Sequence, residues 1–514
     1  MHLKIRLGTR KSLLAWAQSS WVAREIERLN PGVKVELHGI ETRGDKILDI
    51  PLQAVAGKEF FVAEIDDALR AKTVDLTVHS MKDLSLDRPA EFILGAVPKR
   101  ENPRDVIVFG PSAIPALKSG RAVKIGTSSP RRLENIPPFL AKALPRFDAV
   151  APQAKLVEIR GNVNTRLSRT REPVGSEKHL DGVVLAFAGL IRLWNDEKGR
   201  EELTRLLDGA RWMVLPLREC PAAPAQGALA VECRRDDARV RDVLAKLHDA
   251  LSSDQAAAER QMLADWGGGC HQKFGATCIG SPDLGELLFI RGRKPDETFV
   301  DELRWRGGPS PRKPGPTTAW NGAEWRAGSG QTEVLEPRPD VAGQAMFIAH
   351  SRALTLPALA ALRVQPAARV WTSGTASWFR LADQGVWVEG SAEGLGFEQL
   401  APTLLEPVLR LPSRESWTIL THDTASEGWE GARVVATYRV KPGYPPDASE
   451  ALKAATHVYW SSGSQFDELG RAAPKSAEHA CGPGKTARHL RAQGLNPRVF
   501  PSVEEWKQWL KNSG

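Results

Sequence analysis

The feature that most constrains this chain is an apolar alternation that stops abruptly in paired charges. Val74, Leu76 and Val78 recur at a period of two, and the segment ends in His79-Ser80-Met81-Lys82-Asp83. That period predicts a core strand, and open α/β sheets place ligands beyond the C-terminal tips of such strands. An ordinary strand end with solvated charges would read the same way, but the pattern recurs. Ser128-Ser129-Pro130-Arg131-Arg132 follows a second predicted strand, and Arg160-Gly161-Asn162 with Arg166 follows a third. The rest of the pattern alternates strand and helix. Strands are predicted near 3–8, 33–41, 74–79, 123–128, 156–160 and 182–187, with a helix after Ser12, a good N-cap, and another near 61–71. This is βαβ patterning, so the expected class is α/β with largely parallel sheets.

At 514 residues the chain is too long for one core, and roughly three to five domains are expected. Hydrophobic residues at 42% and charged residues at 26% are ordinary for a globular protein. The N-terminal segment runs into a strand without a signal-peptide apolar region. The apolar run Val183–Ile191 is too short to span a bilayer. The five cysteines lack zinc-ligand spacing, which suits reduced thiols in the cytoplasm. No metal site and no membrane association are expected. The net charge of +8 calls for an anionic partner, with nucleic acid the default candidate. The arginines, however, sit singly or in pairs at strand-to-helix junctions rather than in one basic tract. A guanidinium fork clamps a carboxylate through two hydrogen bonds, so a small polycarboxylate ligand is expected and nucleic acid is not.

Further motifs lie along the chain in order: Leu7-Gly8-Thr9-Arg10-Lys11-Ser12, Thr42-Arg43-Gly44-Asp45, Gly57-Lys58-Glu59-Phe60-Phe61, Gly126-Thr127-Ser128-Ser129, Ala186-Phe187-Ala188-Gly189-Leu190, Pro224-Ala225-Gln226-Gly227 and Gly268-Gly269-Cys270. With the strand ends above, this set resembles porphobilinogen deaminase (hydroxymethylbilane synthase) from Leu7 to Cys270. The resemblance implies two lobes like those of periplasmic solute-binding proteins. The first spans 1–105 and is completed by 221–245, the second spans 106–220, and a small α/β domain at 246–306 carries the cysteine. That the chain crosses back to the first lobe comes from the resemblance and not from periodicity. Residues 307–343 are dense in Pro, Gly and Ser and read as a linker or an insertion. Residues 344–514 form a separate unit.

The resemblance also implies a chemistry. Porphobilinogen loses ammonia to give an electrophilic azafulvene, which the free carbon of the growing chain attacks. The transition state is cationic at the pyrrole, so a carboxylate is needed nearby. Asp83 is expected to fill that catalytic role with Lys82 and Arg10; a helix cap or a mate for Lys82 is the plainer reading of Asp83. Arg131, Arg132, Arg160, Arg166 and Arg192 would neutralise the carboxylates of cofactor and substrate. Ser80, Thr127, Ser128, Ser129, Gly161 and Gln226 would line the same cleft. Arg104, Arg121 and Arg234-Arg235 read as solvated surface. Cys270 would carry a covalent dipyrromethane cofactor through a thioether, since thiolate is a strong carbon nucleophile. Cys278 is its rival, and Cys220, Cys233 and Cys481 read as buried apolar residues. Phe61 reads equally as a ring that stacks on a pyrrole or as core.

Beyond the linker, Gly374-Thr375-Ala376 and Gly484-Lys485-Thr486-Ala487 head two loosely similar stretches, the pattern of a two-lobed α/β unit. Together with Gly431 to Tyr438 and Val458-Tyr459-Trp460-Ser461-Ser462-Gly463 they are similar to uroporphyrinogen-III synthase, with a first lobe that looks trimmed. Tyr438 would help a hydroxyl leave, and Ser461, Ser462 and Thr486 would hold carboxylates. The expected protein is a monomeric bifunctional enzyme. A deaminase with a non-catalytic C-terminal unit and a non-enzymatic dicarboxylate-binding module stay open as alternatives.

Overall fold

A computed structural model describes residues 3–42, 62–147, 151–267, 272–308, 310, 312, 315–325, 332–335, 345–364, 368–423, 431–440 and 443–511. The first ten strands are β1 (Leu3–Arg10), β2 (Val33–Ile40), β3 (Leu76–Ser80), β4 (Phe92–Ala96), β5 (Asp105–Phe109), β6 (Val123–Gly126), β7 (Ala154–Val157), β8 (Gly182–Ala186), β9 (Arg211–Val214) and β10 (Leu229–Arg234). They form two five-stranded sheets, ordered β2-β1-β3-β10-β4 and β7-β6-β8-β5-β9. In the first, β1 runs parallel to β2 and β3, while β10 inserts antiparallel between β3 and β4. In the second, β6 runs parallel to β7 and β8, while β5 is antiparallel to β8 and β9. The chain leaves the first sheet after β4 and returns at β10, so two crossover segments, 97–104 and 215–228, join the sheets.

Local chemistry accounts for these elements. β5 and most of β8 are buried along their length, as strands covered on both faces are. The helix Leu13–Leu29 starts where the Ser12 hydroxyl accepts the Ala15 N–H, and it buries Ala17, Val22 and Ile26. Val22 and Ile26 join Ile5, Leu7, Leu76, Val78 and Val231 in the core of the first sheet, while Ala17 joins the core of the second with Val106 and Val183.

The helix Ala250–Asp265 packs on an antiparallel sheet of β11 (Phe274–Ser281), β12 (Gly285–Arg293) and β13 (Phe299–Arg306). The remaining strands are β14 (Ala319–Trp320), β15 (Thr332–Val334), β16 (Ala345–Ile348), β17 (Arg369–Thr372), β18 (Val388–Ser391), β19 (Trp417–His422), β20 (Arg433–Val440), β21 (His457–Trp460), β22 (Glu478–Cys481) and β23 (Arg498–Val499). They build a six-stranded sheet, β15-β20-β19-β16-β17-β18, and a four-stranded parallel one, β14-β21-β22-β23. β14 and β15 lie inside the stretch expected as a linker or insertion. Composition hid them because their reason is tertiary: Trp320 is buried, stacked on Trp325 and 5.6 Å from the Trp460 ring.

The six-stranded sheet packs on the second sheet of the N-terminal half, and the four-stranded one on the β11-β12-β13 sheet. Trp378 meets Phe139 edge-on at 5.2 Å and donates its indole N–H to the Ala143 carbonyl at 3.1 Å. Trp387 does the same with Phe109 at 4.9 Å and the Trp212 carbonyl at 3.1 Å. Among the described residues no helix is long and apolar enough to cross a membrane.

Three arginines read as solvated surface are paired instead. Arg104 meets Glu393 at 2.6 Å, Arg121 meets Asp181 at 2.7 Å, and Arg234 binds Asp237 at 2.9 Å and the Val74 carbonyl at 2.7 Å. Arg235 donates to the Ala90 carbonyl at 2.8 Å. Most of these partners are far away in sequence, so local charge patterning could not reveal them.

Asp181 anchors the second sheet. It accepts from Arg121, from the Ser112 hydroxyl at 2.6 Å and from the Lys124 N–H at 2.8 Å. Burial alone would raise its pKa, but these donors more than offset it and hold Asp181 below the usual carboxylate range. A carboxylate depressed on folding stabilises above its unfolded pKa and loses that contribution as pH falls through the folded value. Asp181→Asn should therefore destabilise the protein by about 2–4 kcal/mol at neutral pH. The gap in urea midpoint should hold down to about pH 4 and shrink below it; a gap that stays constant to pH 3 would refute the assignment.

Candidate active site

The strand ends that the sequence singled out converge where the two five-stranded sheets face each other. β3 ends at Ser80, whose hydroxyl bonds the Gln18 side chain at 3.1 Å. A single 3-10 turn, Met81–Asp83, follows and is pinned to the neighbouring strand by Met81 N–H donating to the Ala228 carbonyl. This turn leaves Asp83 exposed and Lys82 half-buried.

From the second sheet, β6 runs into Thr127, Ser128 and Ser129, and then into the helix Pro130–Ala143. Proline opens that helix, where its missing N–H costs nothing. Thr127 is buried and accepts the Ser129 N–H, while Ser128 is hydrogen-bonded to Ile159 and so ties the ends of β6 and β7 together. After β7 come Arg160 and Gly161. Gly161 has φ +105°, and a Cβ there would meet the Thr165 side chain at 2.7 Å, so this turn needs glycine. Its carbonyl accepts Arg166 Nε at 2.8 Å. Arg10 closes β1, and both it and Arg160 are half-buried. Arg192 donates to the Gly227 carbonyl at 2.6 Å.

One continuous network links the two sheets. Lys82 Nζ donates to Gln226 Oε1 at 3.1 Å, and Gln226 Nε2 donates to Asp105 Oδ1 at 2.9 Å. Asp105 accepts Arg131 and Arg132, each at 2.7 Å, and all four side chains of the Asp105 cluster are buried. Burial would raise the Asp105 pKa, but Arg131 and Arg132 more than offset it and hold it low. Burial lowers Lys82, with Arg132 and Arg131 adding and Asp83 opposing. Arg166 is pushed down to about 10 by burial and by Arg132, with Asp83 opposing. Burial also pushes Arg192 down to about 10. The exposed Asp83 carboxylate thus stands beside Lys82 and Arg166. An arrangement of this kind has the chemistry to hold a polyanion and to offer one carboxylate to a developing positive charge.

The residues present fit a carboxylate-bearing cofactor. Arg131 Nε is buried and has no hydrogen-bond partner among the described residues, a donor kept in reserve for an acidic group. Cys270 and Phe61 lie outside the described residues. The rival Cys278 is buried in β11 with its thiol pushed up to about 12 by burial and Glu259, which leaves it a poor nucleophile. Cys220, Cys233 and Cys481 are buried as well.

Asp105 was missed in the sequence, although its signal was present: a charged residue opening the otherwise apolar strand Asp-Val-Ile-Val-Phe.

In the C-terminal half Tyr438 is buried on β20, and its ring lies 6.1 Å from that of His422. Burial lowers the His422 pKa, with Asp423 opposing and Lys485, which opens the helix Lys485–Ala492 after β22, adding to it. Ser462 caps the helix Gly463–Leu469, and Ser461 bonds Gln465 at 2.9 Å. Thr486 lies in the first turn of Lys485–Ala492. Ser461 and Ser462 thus serve their own helix, and Tyr438 belongs to the core of the six-stranded sheet.

Residues 5–242 match the family model described as porphobilinogen deaminase, dipyromethane cofactor binding domain. A porphobilinogen deaminase of Syntrophobacter fumaroxidans is 42% identical over 274 residues, covering 53% of this chain and 78% of that protein. One of Trichlorobacter lovleyi is 40% identical over 301 residues, covering 58% and 87%. Among solved structures, a probable amino-acid ABC transporter extracellular-binding protein of Bacillus subtilis is 12% identical. It covers 52% of this chain and 100% of that one at a TM-score of 0.27, too low to bear on fold or function. The identity to the named relatives spans more than three quarters of their length, and on that ground the chain belongs to the porphobilinogen deaminase family.

Proposed function

We propose that this chain joins porphobilinogen units into hydroxymethylbilane with release of ammonia, and that its C-terminal unit then closes the product to uroporphyrinogen III. Family membership and the relatives' names support the porphobilinogen deaminase activity. The observation that carries the assignment of roles is the exposed Asp83 carboxylate beside Lys82 and Arg166, two cations that in turn adjoin Arg132.

Each pyrrole brings two carboxylates, so the cleft must neutralise a charge that grows with the chain. Lys82, Arg10, Arg131, Arg132, Arg160, Arg166 and Arg192 supply the cations, with the hydroxyls of Ser80, Thr127, Ser128 and Ser129 and the amide of Gln226 as neutral hydrogen-bonding groups. The backbone at Gly161 lets the ligand approach. Asp83 accepts the pyrrole N–H and stabilises positive charge on the ring as ammonia departs. Dipyrromethane, when bound, supplies the pyrrole terminus from which the chain is extended. Cys270 is its attachment point in this reading, because a glycine-framed thiol can meet a carbon electrophile, whereas burial pushes the Cys278 thiol up to about 12. Phe61 would stack on a pyrrole ring.

For the C-terminal unit, residues 344–514, the supporting observation is a helix N-terminus that already accepts a carboxylate. Asp283, from the turn before β12, accepts the Gly484 N–H at 2.9 Å at the start of Lys485–Ala492. That helix end accepts an anion, as its dipole and free N–H groups predict. Thr486 lies in the first turn of that helix. Tyr438 would assist departure of the hydroxyl, and Ser461 and Ser462 would add donors.

Three measurements test these roles. Intact-protein mass should show a covalent dipyrromethane that Cys270→Ser loses and Cys278→Ser keeps; an adduct that persists in Cys270→Ser refutes the attachment. Asp83→Asn, folded by circular dichroism, should lower turnover by about 100- to 1,000-fold, as loss of a preorganised charge does. Near-normal turnover would move catalysis elsewhere. Fed porphobilinogen, the full chain should yield mainly uroporphyrinogen III, whereas hydroxymethylbilane left to close in water gives type I. Only type I from the intact chain would end the synthase half of the proposal and leave the deaminase half standing.

A further inference from the structure

The two crossover segments between the five-stranded sheets are each held by glutamates that belong to neither sheet. Glu259, on the helix Ala250–Asp265, accepts Arg100 of the first crossover at 2.6 and 2.8 Å. It also accepts the N–H groups of Ala225, on the second crossover, and Cys278, each at 2.6 Å. Glu393, on the turn after β18 in the C-terminal unit, repeats this device. Its Oε1 accepts Arg104 of the first crossover at 2.6 and 2.9 Å, and its Oε2 accepts the Leu217 N–H of the second at 2.7 Å. The Arg104–Glu393 pair is buried. Glu393 holds a left-handed backbone, φ +55°, a conformation that non-glycine residues rarely adopt and that persists only when the surroundings enforce it. A second bond reinforces the contact: Asn102 Nδ2 donates to the Thr403 hydroxyl at 2.8 Å.

Arg104 directly precedes Asp105, the carboxylate that orients Arg131 and Arg132 and receives Gln226 and, through it, Lys82. The Arg104 carbonyl also accepts the Phe187 N–H at 3.0 Å. We propose that Glu393 is a positioning residue for the deaminase reaction: through Arg104 and Leu217 the C-terminal unit braces both crossovers and fixes the Asp105 cluster of the cleft. Two-lobed proteins close by small backbone changes in such crossovers, so a carboxylate spanning both sets how far the lobes can move. The proposal rests on the deaminase reading. Wild-type protein without porphobilinogen turnover would sink that reading, while backbone exchange would still report on the brace.

The test uses the full chain. In Glu393→Gln the KM for porphobilinogen should rise about tenfold with kcat within about threefold, within the range of couplings between linked sites. Amide hydrogen exchange should accelerate in 98–105 and 215–219, while the helices Thr375–Asp383 and Phe397–Leu404 keep their protection. Arg104→Gln should give the same KM, and the double variant should be no worse than either single one. Glu393→Asp should recover part of the loss. An unchanged KM in folded Glu393→Gln overturns the proposal. So does exchange that spreads evenly through the C-terminal helices, since Glu393 would then only hold its own unit together. If Glu393→Gln does not fold, Thr403→Val removes the second bond instead. It should accelerate exchange confined to 98–104 with a smaller rise in KM, and no change in either overturns the proposal.

Discussion

The Asp105 carboxylate is the constraint on which the rest of the cleft depends. It is a full charge at the first position of a buried strand, and leaving it unpaired would cost several kcal/mol. Its two oxygens therefore dictate where the guanidinium groups of Arg131 and Arg132 sit, and the leftover acceptor capacity orients Gln226. Gln226 in turn positions Lys82 beside Asp83. The chain from an interior charge to the exposed Asp83 passes through both sheets. The relative placement of the lobes and the arrangement of the cations are thus one problem, solved once.

That placement is unusually well tethered. Gly227, next to Gln226, has φ +88°, and a Cβ there would lie 2.4 Å from the Glu101 carbonyl, so the two crossovers pack backbone to backbone. Glu259 and Glu393 approach this contact from two outside bodies. A buried ion pair is weak evidence for stability, and here each one joins segments far apart in the chain. Four charged side chains spent on two short crossovers argue that what is being fixed is the angle between the sheets.

The local elements were largely legible. β2, β3, β6, β7 and β8 lie within a few residues of the strands that alternation predicts, and Ser12 caps the helix it was expected to cap. Those signals depend on neighbours in sequence. The insertion of β10 between β3 and β4 was not legible from periodicity, because it pairs residues more than a hundred positions apart, and only the family resemblance suggested it. The same distance hid the partners of Arg104 and Arg234. It also hid β14, where a buried tryptophan outweighed a Pro- and Gly-rich composition, and β15, whose partner β20 lies about a hundred positions away. Cys270 and Phe61 were legible as motifs, yet they fall outside the described residues, and their roles still rest on chemistry and resemblance.

The strands β14 and β15 bear on how the two halves relate. Residues 307–343 were expected to be a linker or an insertion, and a linker would give the C-terminal unit a high local concentration and a free orientation. Instead the stretch contributes an edge strand to each of the two C-terminal sheets. A protein wired in this way does not behave as two beads on a string. Grafting either half onto another partner would have to carry these strands along, and the natural boundary for such a transplant lies before Ala319, not in the glycines that follow it.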